Sequence, residues 1–320
     1  MHKAIVVPQA GGPEILRYED VDLPEPGPRQ LLVKVAAAGV NFIDTYKRAG
    51  VYPMSYPFIP GAEAAGTVVS AGRDSGFREG DRVATAEGGG TYSQYTVMDA
   101  DVALPVPAGI SDETAAALML QGMTAHYLCN STFPVQEGQT ALVHAGAGGV
   151  GLLLIQLLKA KGATVITTVS TEEKELLARD AGADHVLRYE GFTGQVRALT
   201  GGTGVDVVYD GVGAATFDAS LASLRTRGMM VLFGGASGQV PPFDIQRLNS
   251  SGSLFLTRPT LAHYLLTPEE RQWRARELFD AVLAGTLDVR IGATYPLSEA
   301  SRAQADLEGR RTTGKVLLAP

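Results

Sequence analysis

The chain has 320 residues, of which 45% are hydrophobic and 19% are charged. This length suits about two globular domains, and the composition argues against a disordered or fibrous chain. A formal net charge of −7 disfavours nucleic acid and anionic membranes as partners, which leaves small-molecule chemistry favoured. No apolar run reaches the roughly 18 residues of a membrane helix. The apolar stretch 4–7 ends at Pro8, too short for a secretory signal, so a cytoplasmic protein is expected.

Cysteine and histidine usage gives no sign of a metal site. The single cysteine, Cys129, excludes an internal disulfide, a four-cysteine zinc site and an iron–sulfur cluster. The five histidines are scattered, and no two have the i, i+4 spacing that places both rings on one metal ion. No metal is therefore expected.

The first part of the chain reads as a mostly β domain. Short β-rich runs at 31–37, 66–69 and 92–97 alternate with turn clusters rich in proline and glycine. A long helix at 268–284 and a closing strand at 315–318 come at the other end, and that strand could rejoin the first domain.

After Thr140 the pattern changes to strands that alternate with helices. Strands are predicted at 141–145, 164–169, 205–210 and 229–233, and helices at 150–161, 172–181 and near 217–224. This alternation predicts an α/β fold with a doubly wound parallel sheet of the Rossmann type, covered on both faces. We expect this domain to span 122–260, inserted into a β-rich domain formed by 1–121 and 261–320.

A glycine-rich motif follows the first of these strands and opens an apolar helix. With 38 glycines in the chain, a G-x-G-x-x-G match arises by chance about 0.5 times, so the motif alone is weak. Its place between strand and helix predicts a dinucleotide site: a tight turn at the first glycine, phosphate approach at the second and close packing at the third. The motif is Gly146-Ala147-Gly148-Gly149-Val150-Gly151.

The choice of cofactor depends on the end of the second strand. A carboxylate there would bind the ribose of NAD, but the strand ends at Val169-Ser170-Thr171. Ser170 offers a hydroxyl and Lys174 a positive charge to a 2′-phosphate, which favours NADPH. Glu172 and Glu173 argue against this, although acidic residues also suit a first helical turn. Lys174 could instead be an ordinary solvated lysine.

Several segments, in order along nearly the whole chain, resemble the zinc-free quinone oxidoreductases that include ζ-crystallin, within the medium-chain dehydrogenase/reductase superfamily. The resemblance implies a GroES-like fold for the β-rich domain. The segments are 38–44, 50–53, 60–66, 143–151, 233–234, 256–259 and 313–318.

The resemblance also bears on zinc. Zinc-dependent members of the superfamily carry a cysteine where it places Asn41 and a histidine where it places Ala62. Without a Lewis acid, the interconversion of alcohol and ketone loses several kcal/mol of transition-state stabilisation. A quinone or an α,β-unsaturated carbonyl delocalises the negative charge that it gains on hydride addition. It therefore needs less stabilisation by a metal ion, so such substrates are expected.

The same resemblance implies that NADPH lies in the cleft between the domains. Each contact it implies could instead be a packing residue, and Arg258 could simply cap its strand. The implied cofactor contacts are Asn41 and Tyr52 at the nicotinamide, Thr124, the motif residues 146–151 at the pyrophosphate, Ser170, Lys174 and Tyr189 at the adenosine ribose and its phosphate, Gly213, Phe233, Gly234 and Gly235 as a wall, and Arg258.

The candidate catalytic residues are Asn41, Asp44, Tyr46 and Tyr52, none of which is assigned as the proton donor. Tyr46 and Tyr52 offer hydroxyls near the expected cleft, and Asp44 could orient one of them, but water can protonate the product equally well. Positioning of cofactor and acceptor face to face is expected to contribute most.

These observations predict an NADPH-dependent, zinc-independent reductase of quinones or related conjugated carbonyls. Two alternatives stay open: an NADPH-dependent enone or enoyl-thioester reductase, and a protein that binds NADPH or nucleic acid without turnover. The resemblance also implies a homodimer, for which 253–257 would provide the edge strand.

Overall fold

The computed structural model describes all 320 residues. By its internal contacts the chain divides into two compact units, one formed by Met1–Met123 with Leu265–Pro320 and the other by Thr124–Tyr264. None of the helices combines the length and the apolar character needed to cross a membrane.

The first unit is built on a seven-stranded sheet. Its order is β14-β15-β3-β4-β5-β7, with β6 paired to β3, and every pair is antiparallel except β14 with β15. A separate antiparallel pair is formed by β1 and β2. Numbered in chain order, the strands are β1 (His2–Val6), β2 (Arg17–Val21), β3 (Gln30–Val40), β4 (Glu63–Ala71), β5 (Arg82–Thr85), β6 (Tyr95–Asp99), β7 (Leu104–Pro105), β14 (Ile291–Pro296) and β15 (Lys315–Ala319).

Strand β3 is the centre of this unit. Leu31 and Val33 pack in one buried cluster, and Ala38 and Val40 pack in another with residues of β15. A register shift against β4 after Val35 changes the inward positions from odd to even. The helices with residues in this unit are α1 (Phe42–Arg48), α2 (Asp112–Tyr127), α8 (Pro268–Leu283) and α9 (Ala300–Glu308).

The second unit contains a six-stranded sheet in which every pair is parallel. Its order, β10-β9-β8-β11-β12-β13, is that of a Rossmann fold, with the strand order reversing between β8 and β11. The elements are β8 (Thr140–Val143), α3 (Gly149–Ala160), β9 (Thr164–Thr168), α4 (Glu172–Asp180), β10 (His185–Leu187), α5 (Phe192–Leu199), β11 (Val205–Asp210), α6 (Phe217–Ser223), β12 (Leu224–Leu232), α7 (Gln246–Ser250) and β13 (Phe255–Thr257).

The core of this unit forms where α5 and α6 cover the sheet. Leu142, Ile166 and Met230 from the strands pack with Phe192 and Phe217 from the helices. Each such buried side chain contributes about 1.5–3 kcal/mol relative to exposure. This buried packing therefore supports the edge of the sheet at which the strands end.

The predicted fold class is confirmed: a Rossmann-type parallel sheet and a β-rich unit. The closing strand does rejoin the first unit, because β15 pairs with β3 through Val316 and Val40. In the second unit the sequence analysis missed three elements, β10, α5 and α7, and the predicted strand 229–233 proves to be the longer β12. The strand predicted at 141–145 ends at Val143, since Ala145 has left-handed backbone.

Candidate functional site

The glycine-rich turn lies between β8 and α3, at the point where the strand order reverses. A Cβ atom added at Gly151 would clash with the carbonyl oxygen of Ala145, and one added at Gly146 would clash with the side chain of Thr167. At Gly148 a Cβ would lie 3.1 Å from the Ala145 oxygen. The glycines therefore allow α3 and β9 to approach the turn closely.

The first glycine, Gly146, is predicted to permit the tight turn. The left-handed residue of the turn is Ala145, with φ of 55°, and Gly146 does not have positive φ. Glycine is required at 146 because the neighbouring strand leaves no room for a side chain.

The N-terminus of α3 fits a pyrophosphate. Gly148 precedes the helix with extended backbone (φ −77°, ψ 168°), and Gly149 and Val150 form its first turn. The first N–H groups of a helix lack intrahelical acceptors and carry partial positive charge. Without side chains at 148 and 149, and with these residues partly exposed, the amide groups are open to an anion.

Of the residues expected at the adenosine ribose, Ser170 and Lys174 follow β9, and Tyr189 follows β10. Ser170 is exposed, and the hydroxyl of Thr171 accepts the backbone N–H of Lys174 at 3.2 Å, which caps α4. The ring of Tyr189 stacks on that of His144, with centroids 6.1 Å apart and an angle of 19°. Because His144 leads into the glycine turn, the structure places Tyr189 beside that turn.

The loops after β11 and β12 pack on each other through glycines. A Cβ at Gly213 would lie 2.7 Å from the oxygen of Gly238, and one at Gly234 would lie 2.6 Å from the oxygen of Gly211. Phe233 covers Gly211, whose added Cβ would meet the ring at 2.9 Å. Packing therefore explains these glycines without a cofactor, the alternative left open for each of them.

The other three predicted contacts in this unit occupy different surroundings. Thr124 is buried in α2, with 8% of its surface exposed. Gly235 lies in the loop after β12, where an added Cβ would be 3.3 Å from the oxygen of Gly238. Arg258 is exposed and donates to the carbonyl oxygen of Pro259 at 3.2 Å, which fits the capping alternative.

A buried polar chain, which sequence reasoning did not find, links the ends of β8, β9 and β11. The imidazole of His144 lies 2.7 Å from Thr168 Oγ1 and 2.9 Å from Ser220 Oγ. Ser220 donates to Asp210 at 2.9 Å, so it must accept from His144 Nε2, and Thr168 donates to Nδ1. Burial lowers the pKa of His144, which favours the neutral ring, whereas the Asp210 carboxylate opposes this shift.

Asp210 orders the loop after β11. One carboxylate oxygen accepts the backbone N–H groups of Val212 and Gly213 at 2.8 and 3.0 Å, and the other accepts the hydroxyls of Thr216 and Ser220. With no surface exposed, the carboxylate holds the Gly213 turn by four hydrogen bonds. The aspartate that ends an apolar strand was the available signal in the sequence.

In the first unit, three of the four candidate catalytic residues are carried by α1 or its N-cap. Asn41 precedes α1 and is buried, whereas Tyr46 is half-buried and Tyr52, beyond the helix, is 42% exposed. The rings of Tyr46 and Tyr52 have centroids 6.2 Å apart, so the structure brings these two hydroxyl-bearing side chains together.

The expected role of Asp44 is wrong. It was expected to orient Tyr46 or Tyr52, but its carboxylate accepts the hydroxyl of Tyr92 at 3.0 Å and the backbone N–H of Asn41 at 2.9 Å. The second oxygen, Oδ1, is buried without a partner. Burial raises the pKa of Asp44 to about 6, against the lowering effect of the two hydrogen bonds.

Asn41 meets a buried ion pair that was not foreseen. Its carboxamide oxygen accepts from the ammonium of Lys315 at 2.7 Å, and its nitrogen donates to Glu63 at 2.7 Å. Lys315 also pairs directly with Glu63. Burial lowers the pKa of Lys315, and the Glu63 carboxylate opposes this shift.

Comparison with known protein families agrees with the two-part architecture. Residues 27–108 match the family model "Alcohol dehydrogenase GroES-like domain", and residues 149–278 match the family model "Zinc-binding dehydrogenase". A GroES-like unit combined with a Rossmann sheet defines the class of medium-chain dehydrogenases/reductases.

Full-length relatives narrow this class. The quinone oxidoreductase of Pseudomonas aeruginosa is 44% identical over 100% of both chains. The 2-haloacrylate reductase of a Burkholderia species is 42% identical, covering 100% of this chain and 99% of the relative. A mycobacterial protein solved in complex with NADPH is 53% identical, with a TM-score of 0.98 over 100% of both chains. The chain therefore belongs to the quinone oxidoreductase family.

Proposed function

We propose that this chain is an NADPH-dependent reductase of quinones or related conjugated carbonyl compounds, and that it works without zinc. One observation carries the proposal: a protein of the same fold, 53% identical over its full length, binds NADPH. The glycine turn and the open N-terminus of α3 in this chain fit the pyrophosphate of such a cofactor.

In this proposal the dinucleotide-binding domain spans 122–260, and its residues select the phosphorylated cofactor. The amide groups from Gly148 to Val150 bind the pyrophosphate. Ser170 and Lys174 receive the 2′-phosphate, since β9 ends without a carboxylate that would repel it. Tyr189, whose ring stacks on that of His144, borders the same end of the cofactor site.

The zinc-free part of the proposal rests on the donor atoms around Asn41. The family resemblance places Ala62, which has no donor atom, where zinc-dependent members carry histidine, and Asn41 where they carry cysteine. The carboxamide oxygen of Asn41 already accepts from the ammonium of Lys315 at 2.7 Å. A dication at this place would meet a fixed positive charge, so the donor set does not fit zinc.

NADPH, when bound, supplies a hydride from its nicotinamide ring. This chain holds the cofactor and the acceptor in place and so replaces a bimolecular encounter by a unimolecular step. Tyr46 and Tyr52 border the acceptor and offer hydroxyls, while water can protonate the product. A conjugated acceptor spreads the charge it gains over its own oxygen atoms, so no Lewis acid is needed.

A second candidate function is reduction of an activated double bond. The similarity to a 2-haloacrylate reductase over nearly the full length of both chains favours it. Hydride addition to such a bond gives an enolate, which is stabilised in the same way as a hydroquinone anion. The two functions differ in substrate shape and share the proposed cofactor site.

A substrate panel tests both functions. Purified protein is mixed with NADPH and, at matched concentrations, a quinone, an enone or a 2-haloacrylate, with NADH as the control reductant. Loss of the absorbance of the reduced nicotinamide reports turnover. Faster oxidation with the quinone supports the first function, and preference for the enone or haloacrylate supports the second. NADPH binding with no oxidation by any acceptor contradicts both and favours a non-catalytic binder.

We further infer that two copies pair through β13. This strand forms one edge of the parallel sheet, and Phe255 on it is 56% exposed. An apolar edge strand with unpaired backbone groups is a template for a second strand. Phe255→Lys should convert a dimer to a monomer in light scattering after size exclusion. Leu199→Lys, at an exposed apolar position on α5, should leave the dimer intact; a monomeric wild-type protein contradicts the inference.

A further inference from the structure

A cavity of about 370 Å³ lies in the second unit, away from the glycine turn. It is lined by Thr203 in the loop before β11, by residues 224–226 at the start of β12 and by Ser251, which precedes β13. Strands β8, β11, β12 and β13 are parallel, so their amino ends share one edge of the sheet. The glycine turn leaves the carboxyl end of β8, so the cavity and the proposed cofactor site lie at opposite edges.

The start of β12 leaves the regular ladder at this cavity. Val205 pairs with Leu224 and Val207 pairs with Met229, so two positions along β11 correspond to five along β12. The residues between form a large bulge, and bulges redirect side chains out of a sheet. Arg227 within it has a left-handed φ of 60°, which is a strained backbone for a residue with a side chain. The bulge brings Arg225 and Thr226 to the cavity wall.

Arg197, on α5, brings a positive charge that no carboxylate balances. Its guanidinium makes no ion pair, and all five of its N–H groups donate to backbone oxygens at 2.7–3.0 Å. Carbonyl groups solvate this charge but do not cancel it. Arg197 therefore holds the cavity wall in place and contributes positive potential, with no N–H group left for a ligand. The accepting oxygens are those of Gly202, Thr203, Ala222 and Leu224.

Arg225 supplies donors that the protein does not use. Its Nε donates to Asp206 at 2.7 Å, and its Nη1 donates to the carbonyl oxygen of Thr226 at 2.8 Å. A guanidinium has five N–H groups, so three remain for a ligand. Asp206 does not line the cavity, and its other carboxylate oxygen accepts the backbone N–H of Thr140 at 2.8 Å. Asp206 therefore orients Arg225 from behind.

Three hydroxyl groups complete the lining. Thr203, Thr226 and Ser251 are exposed, and their hydroxyls make no hydrogen bond within the protein. With two guanidinium groups against one carboxylate, the surroundings are positive in a chain whose formal net charge is −7. A phosphate group accepts charge-assisted hydrogen bonds from a guanidinium and further bonds from hydroxyls. The volume falls within the range of about 300–1,000 Å³ typical of small-molecule sites.

We propose that this cavity is a second ligand site, which binds a phosphate dianion through the free N–H groups of Arg225 and the three hydroxyls. Arg197 adds attraction without touching the ligand. The phosphate comes either from the free ion or from a phosphorylated small molecule. This inference goes beyond the proposed function and does not depend on it, because the cavity shares no residue with the cofactor site.

Titration followed by ³¹P NMR tests the proposal. Protein is added at low ionic strength to inorganic phosphate or to glucose 6-phosphate, and the line width reports binding. Both probes should bind saturably. Arg225→Met should weaken binding at least about tenfold, and Thr226→Val about threefold, the losses of a charged and a neutral hydrogen bond. Tighter binding of the ester would identify a phosphorylated small molecule as the ligand, and tighter binding of inorganic phosphate the free ion. The absence of saturable binding for both probes overturns the proposal.

Lys174→Ala and Arg179→Met are the matched controls. The proposed function places Lys174 at the 2′-phosphate of the cofactor, and Arg179 is an exposed arginine of the same unit that pairs with Glu175 at 2.7 Å. Each variant should bind both probes within about twofold of wild type, since neither residue lines the cavity. A loss in Lys174→Ala as large as that in Arg225→Met would assign the phosphate to the cofactor site. An equal loss in Arg179→Met would show attraction to surface charge alone.

Hydrogen exchange of the wild-type protein gives a second measurement that needs no variant. Inorganic phosphate should slow the exchange of backbone amides in 224–228 at least about threefold and leave those in 146–150 unchanged. Slower exchange confined to 146–150 would place the ion at the glycine turn and refute the second site. If Arg225→Met does not fold because Asp206 loses its cation, this measurement and Thr226→Val, at an exposed position, carry the test.

Discussion

Lys315 in the last strand donates to the carboxamide of Asn41 at the start of α1, across 274 positions of the sequence. The contact exists because β15 pairs with β3, whose Val40 faces Val316. The two parts of the first unit, which lie on either side of the Rossmann segment in the sequence, must therefore come together before Asn41 is held. The final strand is as much a part of this site as the motif that contains Asn41.

Removing the positive charge of Lys174 should change cofactor preference. We expect Lys174→Ala to weaken NADPH binding about tenfold, the value of one charge-assisted hydrogen bond to the 2′-phosphate, and NADH binding less than about twofold. Titration by fluorescence with both nucleotides measures this. Lys161→Ala, which removes an equal charge at the far end of α3, should change neither affinity; equal losses for both nucleotides in Lys174→Ala would refute the assignment.

The glycine turn should tolerate no side chain at Gly146. In Gly146→Ala the new methyl group meets the side chain of Thr167, and we expect a loss of about 1–3 kcal/mol in unfolding free energy together with weaker NADPH binding. Gly194→Ala is the control, since no atom lies near that position in α5, and it should gain about 0.5–1 kcal/mol. Urea unfolding measures the free energy of unfolding of both variants. An unchanged value for Gly146→Ala would contradict the packing argument.

Local patterns predicted most of the Rossmann unit, although not β10, α5 or α7. Alternating apolar strands and helices predicted its parallel sheet, and the position of the glycine motif predicted the turn, because both signals lie within a few residues of what they determine. The lack of room beside Gly146 was not predicted, because Thr167 lies in β9, a strand that the motif does not contain.

Side-chain partners distant in sequence could not be predicted in this way. Asp44 meets Tyr92 only because the folded sheet brings their segments together, and no spacing rule announces the pair. Glu63 and Lys315 left a usable signal: each is a charged residue beside a run of apolar strand residues, and a buried charge requires a partner. Gly39 next to them marks the space that such a pair needs.

Ser220, which joins His144 to Asp210, should contribute more to stability than Ser223 on the same helix. Ser220→Ala leaves the Nε2 proton of His144 without an acceptor, which should cost about 1–3 kcal/mol of stability. We also expect weaker NADPH binding, because Asp210 holds the Gly213 turn. Ser223→Ala is the matched control: this serine is equally buried, but bonds only to Ala219 within α6, and should change stability by less than about 1 kcal/mol. Similar losses of stability in both variants would show that the hydrogen bonds from His144 through Ser220 to Asp210 stabilise the protein no more than an ordinary side-chain hydrogen bond within a helix.

The buried carboxyl of Asp44 should make stability fall as pH rises. Its pKa is about 6 in the folded protein and about 3.9 in the unfolded chain, so between these values the unfolded chain releases a proton that the folded protein retains. The loss should reach about 3 kcal/mol by pH 7 and then stop, and Asp44→Asn should abolish it. Urea unfolding of wild type and variant at about pH 4 and pH 7 measures the difference. A wild-type to Asp44→Asn difference that is the same at both pH values would contradict the raised pKa.

Asp184 should show the opposite pH dependence, because its pKa is lowered in the folded protein by Lys159 and the backbone N–H of Val165 despite partial burial. Asp184→Asn should remove stability that is present above the unfolded pKa and lost on acidification, as measured by urea unfolding at the same two pH values. A loss of stability in Asp184→Asn that does not change with pH would contradict the lowered pKa.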